Sequence, residues 1–168
     1  MPNWCSGVLK VRGKKKDLLN FLNNGIERHG YPRDESYEYT KYPLDAELDE
    51  FGDVFCKETD DEHHSWLYFK DSRRLFVDEN IEWYFSSNED EEIIQVLDIK
   101  QAWCIDADYF VKISKQYNVD FKLMCFEQGC QFVQEIEVVK GNIKKNKTKD
   151  YKRYKNYAWS VYDPRLGG

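Results

Sequence analysis

The sequence predicts an α+β domain: an antiparallel sheet with two helices packed on one face. Three observations predict it. An alternating strand at 5–11 starts almost at the first residue. Two stretches with helical apolar spacing, 15–29 and 107–117, each follow strand-like segments. Two alternating strands joined by a glycine turn come after the second helix. The order strand, helix, strands, helix, strand, strand is that of a split β-α-β arrangement, although strand propensity alone leaves several α+β topologies open.

In the first strand Cys5, Leu9 and Val11 share one face, with Gly7 between them, and Trp4 and Val8 share the other. Gly13 breaks the alternation. Such a start implies an N-terminus pinned in a sheet, with no signal peptide ahead of it. The helix at 15–29 is read from Leu18, Phe21, Leu22, Gly25 and Ile26, with Arg28 and His29 suiting the negative C-terminal end and Gly30 the stop. Residues 31–57 have the look of an insertion, punctuated by Pro32 and Pro43, with a short helix expected near 44–51. Short strands are expected at 65–70, 74–77 and 81–85, and an alternating one at 93–99. The second helix has Asp106 as N-cap and Phe110, Val111, Ile113, Ser114 and Tyr117 as its inner stripe. Strands at 120–127 and 131–140 flank Gln128-Gly129, and the second ends at Lys140-Gly141-Asn142.

A chain of 168 residues suits one well-cored domain, read as 1–143 with an insertion at about 31–64 and a basic, aromatic extension at 144–168. Aromatic residues make up 16%, enough to fill a core, and no apolar run approaches the ~20 residues of a membrane span. Five cysteines, Cys5, Cys56, Cys104, Cys125 and Cys130, form an odd set without a secretory signal. They point to free thiols in the cytoplasm of a host bacterial cell. Cys125 and Cys130 face each other across the expected hairpin; two half-buried thiols are favoured there over a disulfide.

The net charge of -6 is unevenly spread. Residues 45–62 hold nine acids and one base, residues 78–92 seven acids and no base, and residues 140–155 eight bases and one acid. Such segregation suits a protein with two differently charged surfaces.

Three segments carry a resemblance. The opening Met1-Pro2-Asn3-Trp4-Cys5-Ser6-Gly7, the Ala102-Trp103 pair before the second helix, and the strand, Glu127-Gln128-Gly129 turn, strand and Gly141 turn resemble the YubB-like family of phage and plasmid proteins. The prolines that follow the Ala-Trp pair in that family are absent here. The resemblance implies a ferredoxin-like fold without an iron-sulfur cluster, a gene carried on a mobile element, and no enzymatic activity.

The residues themselves argue the same way on chemistry. Iron-sulfur binding needs closely spaced thiolates, and none occur. Cys56 with His63 and His64 is the nearest approach to a zinc half-site, and it lacks a second half, so no metal or other cofactor is expected. A nucleophilic pair would need Cys56, Cys104 or Cys130 to meet His29, His63 or His64 in space, which spacing does not indicate. Gly129, Gly141 and Gly167-Gly168 make no phosphate loop.

Two surfaces are expected to bind. Lys144, Lys145, Lys147, Lys149, Lys152, Arg153 and Lys155, interleaved with Tyr151 and Tyr154, combine cations for phosphates with rings for bases, so they are the nucleic-acid-binding candidates. Asp45, Glu47, Asp49, Glu50, Asp60, Asp61 and Glu62 are the candidates for an acidic surface that mimics nucleic-acid phosphates toward a protein partner. The expected function is that of a non-enzymatic accessory protein binding a nucleic acid or a host nucleoprotein complex, with anti-CRISPR-like inhibition of host defence as its concrete form. The alternatives are a nucleic-acid-processing enzyme using a histidine with an acid, and a module that self-associates through a sheet edge.

Overall fold

The computed structural model describes residues 3–32, 40–56, 62–78, 81–85 and 91–163, the side chains of 31–32 and 62–65 excepted. Its centre is β1 (Trp4–Lys14), an eleven-residue strand. On one side β1 pairs antiparallel with β8 (Glu92–Ala102), and on the other with β9 (Asp120–Glu127). Gly7 permits the second pairing: a Cβ there would stand 2.1 Å from the Met124 carbonyl oxygen, so any side chain would push β9 away. Outward from β9 lie β10 (Phe132–Val139) and β11 (Asn142–Asp150). Outward from β8 lie β7 (Leu75–Val77), β6 (Glu62–Phe69), β2 (Ile26–Pro32) and β3 (Thr40–Pro43).

The expectation of a small ferredoxin-like domain is therefore corrected. The described residues form a nine-stranded antiparallel sheet in the order β11-β10-β9-β1-β8-β7-β6-β2-β3, with three helices. The physical reason lies in segments read as helix, insertion or extension. Residues 26–32, 40–43 and 142–150 satisfy their backbone donors and acceptors in ladders that widen the sheet at both ends.

Helix α1 (Lys15–Gly25) is shorter than its apolar spacing suggests. Its backbone turns extended at Ile26, a β-branched residue that continues as β2, so Arg28 and His29 belong to a strand and not to a helix end. Helix α2 (Ala107–Tyr117) starts where Asp106 accepts hydrogen bonds from the main-chain N–H groups of Asp108 and Tyr109, and it ends at Asn118 in the left-handed conformation. The helix expected near 44–51 is instead a hairpin of β4 (Ala46–Leu48) and β5 (Val54–Cys56). The Asn23 side chain ties it to α1, accepting from the Ala46 N–H at 2.7 Å and donating to the Ala46 carbonyl at 3.0 Å. Residues 81–85 form no strand among the described residues, only an isolated bridge from Tyr84 to Asp53. Trp83 and Phe85 nonetheless point into the core.

The core lies between the helices and one face of the sheet. Cys5, Leu9 and Val11 of β1 are fully buried there with Leu18, Phe21 and Leu22 of α1 and Phe110 and Ile113 of α2. Phe21 is the hub. Its ring centroid lies 5.5 Å from Phe121, 5.8 Å from Tyr117, 6.0 Å from Phe69 and 6.4 Å from Trp83. These four rings come from four different parts of the chain, so one residue closes the core across long sequence separations.

Two turns near the C-terminal side are built by sequence chemistry. Glu127, fully buried, accepts from the main-chain N–H groups of Gly129 at 2.8 Å and Cys130 at 2.5 Å, which holds the β9–β10 turn. Lys140 and Gly141 both take positive φ, 49° and 65°, the backbone shape of a tight hairpin turn matched to strand twist. That turn sends the chain back along β10 as β11. After β11, α3 (Tyr154–Ser160) folds over the sheet's other face, burying Tyr157 and Val161 against Val133 and Phe126.

Phe21→Ala is expected to destabilise the fold by ~3–5 kcal/mol, and Asp106→Ala by ~0.5–2 kcal/mol through loss of the α2 cap. Urea unfolding followed by tryptophan fluorescence checks both. Equal losses for the two would contradict the hub role of Phe21.

Candidate nucleic-acid interface

Helices α1 and α2 cover one face of the sheet, and the other is open apart from α3 among the described residues. The ladder register decides what that open face carries. On β1 it shows Ser6, Val8, Lys10 and Arg12; opposite them on β9 stand Phe126, Met124, Lys122 and Asp120. On β10 the same face carries Val133, Glu135 and Glu137, and these stand opposite Lys149, Lys147 and Lys145 of β11. Three of the lysines expected to bind nucleic acid are thus brought into one column along the outermost strand. A register shift between Glu137 and Val138 sets Lys144 off from that column.

The column is partly compensated. Lys145 is ion-paired to Glu135, and Lys122 Nζ lies 3.7 Å from Glu137. The Lys145 hydrogen bond holds the Glu135 carboxyl below the ordinary range, against a smaller opposing effect of burial. Lys149 Nζ sits 4.7 Å above the Tyr151 ring. Beyond the column, Lys10, Arg12 and Lys122 line a hollow of 260 Å³ on the open face. Arg12 is bonded to Asp120, which lifts its pKa above the usual value.

Of the interleaved rings, Tyr151 is half-buried and packed edge-to-face on Tyr157 at 5.6 Å, so it anchors α3 to the sheet. Burial of Tyr157 pushes its phenol up to about 12. Tyr154 is exposed on α3, with Lys155 beside it, while Lys152 and Arg153 occupy the exposed link between β11 and α3. Trp159 and Tyr162, 91% and 101% exposed, give this corner two more open rings. The segment is a strand and a helix returning over the sheet, so the backbone that carries its cations and rings is set by the fold.

The acidic candidates lie elsewhere. Asp45, Glu47, Asp49 and Glu50 are exposed on and around the β4–β5 hairpin, which packs by α1 on the covered side of the sheet. Asp49 is engaged in its own turn, accepting from the N–H groups of Phe51 and Asp53 at 2.9 Å each. Asp60, Asp61 and the Glu62 side chain lie outside the described residues. The lysine column and the acidic hairpin therefore belong to opposite sides of the molecule.

The catalytic alternatives are placed as follows. His29 is buried, its Nε2 2.5 Å from Glu27 Oε1 and its ring stacked on Tyr68 at 4.6 Å. Burial disfavours the Glu27 carboxylate, but its bonds to His29 and Lys41 outweigh that and lower its pKa. The His29 ring sits beneath Tyr68, while Glu27 borders a hollow of 250 Å³ together with Lys41. Cys104 faces Arg73, Cys130 faces Asn3, and Cys56 is half-buried with its thiol pushed up by burial. The side chains of His63 and His64 lie outside the described residues.

Lys10, Arg12 and Lys122 were not singled out by the sequence. Their signal is the outward phase of the β1 and β9 alternations, where Lys10, Arg12 and Lys122 stand between buried residues. No family model, no curated protein and no solved structure matches the chain.

The Glu135–Lys145 pair gives a pH test. Because the Glu135 carboxyl is lowered in the fold, its stabilising contribution is present above the ordinary carboxylate range. It is lost as pH falls through the lowered folded value. Carboxyl NMR titration is expected to place Glu135 below an ordinary glutamate, and Lys145→Gln to return it upward.

Proposed function

We propose that this chain is a non-enzymatic nucleic-acid-binding protein that engages its polyanion with the open face of the sheet. The single observation that carries the reading is the column of Lys145, Lys147 and Lys149 on β11, which shares a face with Lys10, Arg12 and Lys122. Cations spaced two residues apart along a strand recur about every 6–7 Å, comparable to the phosphate spacing of an extended nucleic-acid strand. Fixed positions lower the ordering cost that a floppy basic tail would incur on binding.

Segregation supports the same reading. The acids of the β4–β5 hairpin, on the opposite side, repel the polyanion from the wrong face and orient the encounter. Binding without catalysis fits the burial of the His29 ring beneath Tyr68. A nucleoprotein complex, such as a host defence assembly, presents the same phosphates and is the larger target in which this surface would act.

The test is the salt dependence of binding to labelled RNA and DNA. Each phosphate contact contributes roughly 0.7–0.9 to the slope of log affinity against log salt. Replacing Lys145, Lys147 and Lys149 together by Gln is expected to weaken binding and flatten that slope by about two to three. Replacing Asp45, Glu47 and Glu50 by Asn or Gln is expected to leave the slope unchanged. Wild-type protein whose binding ignores salt would overturn the reading.

A further inference from the structure

The open face carries a second feature outside the basic segment. Trp4 of β1, Trp66 of β6, Phe76 of β7 and Lys100 of β8 line a cleft of 370 Å³. That volume lies within the ~300–1,000 Å³ range of small-molecule-sized sites. Trp4 and Phe76 meet edge-to-face at 5.6 Å and 79°. Phe76 is braced from behind by Tyr68 at 4.6 Å and 76°, and Tyr68 is itself stacked on the buried His29. The rings are therefore held rigidly by the sheet, while Trp66 remains 47% exposed.

The charge of the cleft selects its occupant. Lys100, ion-paired with Asp78, places its Nζ 5.9 Å from the Trp4 ring centroid. An ammonium ligand would have to displace this cation, so the cleft does not suit a cationic guest. It suits a flat ring with a negative group nearby, and a nucleotide combines the two. The surroundings extend the match. One rung of the sheet runs from Lys149 through Val133, Phe126, Ser6 and Lys100 to Phe76 and Tyr68. α3 covers this rung at Phe126 and Val133. Beside the covered part, β1 leads from Trp4 to Lys10 and the basic hollow, six residues or about 20 Å away. Between the cleft and the hollow the face exposes Val8 and Met124, apolar ground on which unpaired bases can lie.

We infer that the Trp4–Trp66–Phe76–Lys100 cleft stacks an unpaired base of single-stranded nucleic acid, whose backbone then tracks down β1 toward Lys10, Arg12 and Lys122. This deepens the polyanion reading above and rests on it. A duplex keeps its bases stacked on each other, so it can reach the lysines but not the cleft.

The test uses the full chain with oligothymidylate, oligouridylate and a duplex of equal length, followed by anisotropy and by tryptophan fluorescence. Single strands are expected to bind more tightly than duplex and to quench tryptophan fluorescence. Thymidine monophosphate alone is expected to quench at high concentration. Trp66→Ala and Phe76→Ala are each expected to weaken single-strand binding by roughly 5- to 150-fold with the salt slope and duplex binding unchanged. Trp66→Phe is expected to restore most of the affinity, which separates stacking from folding. Preference for one of the two single strands assigns the site to DNA or RNA. Salt-sensitive binding of wild type that both alanine variants retain in full, without quenching, would overturn the cleft and leave the polyanion reading standing. Quenching by the mononucleotide that Trp66→Ala abolishes, with no salt-sensitive binding of any polymer, would overturn the polyanion reading and the path along β1, leaving the cleft as a site for a single nucleotide. Absence of both overturns both.

Discussion

The sheet holds together through β1. Among the described residues it is the strand that joins β9, β10 and β11 on one side to β8 and the strands beyond it on the other. It makes both joins along nearly its whole length, with eleven residues in register against β8 and eight against β9. Gly7 sets the tolerance of the second join, since β9 backbone occupies the space where a side chain would be. A strand buried on one face and paired on both edges has no freedom to slip, because a one-residue shift would turn Cys5, Leu9 and Val11 out to water. That fixed register places the cations of β1 and β9 beside one another.

The two faces then divide the physical tasks. The covered face supplies stability: α1 and α2 meet over it, and Phe21 gathers rings from β6, β9, α2 and the 81–85 segment around itself. The open face gains little from burial. It keeps exposed apolar residues such as Val8, Val96, Met124 and Ile94 at 42–59% exposure among its charges. The cost of exposing them is met by the covered face.

How much of this was legible in the sequence depends on whether local pattern or long-range pairing decided it. Helix α2 was legible because Asp106, the apolar stripe and Asn118 act within one segment. β9 and β10 were legible because each alternates, and because Glu127 and Gly129 make their turn locally. β11 was not, since Asn142–Asp150 has almost no apolar residue to alternate and joins the sheet through its backbone ladder and the Lys145–Glu135 ion pair. The turn at Lys140-Gly141 is the available signal, but apolar alternation stops there. Helix α1 was read too long because Ile26 continues the apolar spacing while its backbone joins a strand. The sheet order was illegible for a similar reason: β2 and β6 pair across an intervening stretch that carries little periodicity. At the site, the lysine block was visible as composition, but its alignment into a column follows from the β10–β11 register. The aromatic cleft draws single residues from four strands, so no window of sequence contains it.

The lysine column has a consequence for the molecule in a crowd of its own copies. β11 is the last strand of the sheet, and its outward N–H and C=O groups form a template on which another strand can add. Lysines along that strand keep a second β11 away by like-charge repulsion. That protection depends on ionic strength, since the Debye length shrinks from about 10 Å at 0.1 M salt to about 3 Å at 1 M. On the proposed reading the cations that would draw a polyanion thus also keep the protein apart from itself. Any polyanion that neutralised them would remove the guard from the edge.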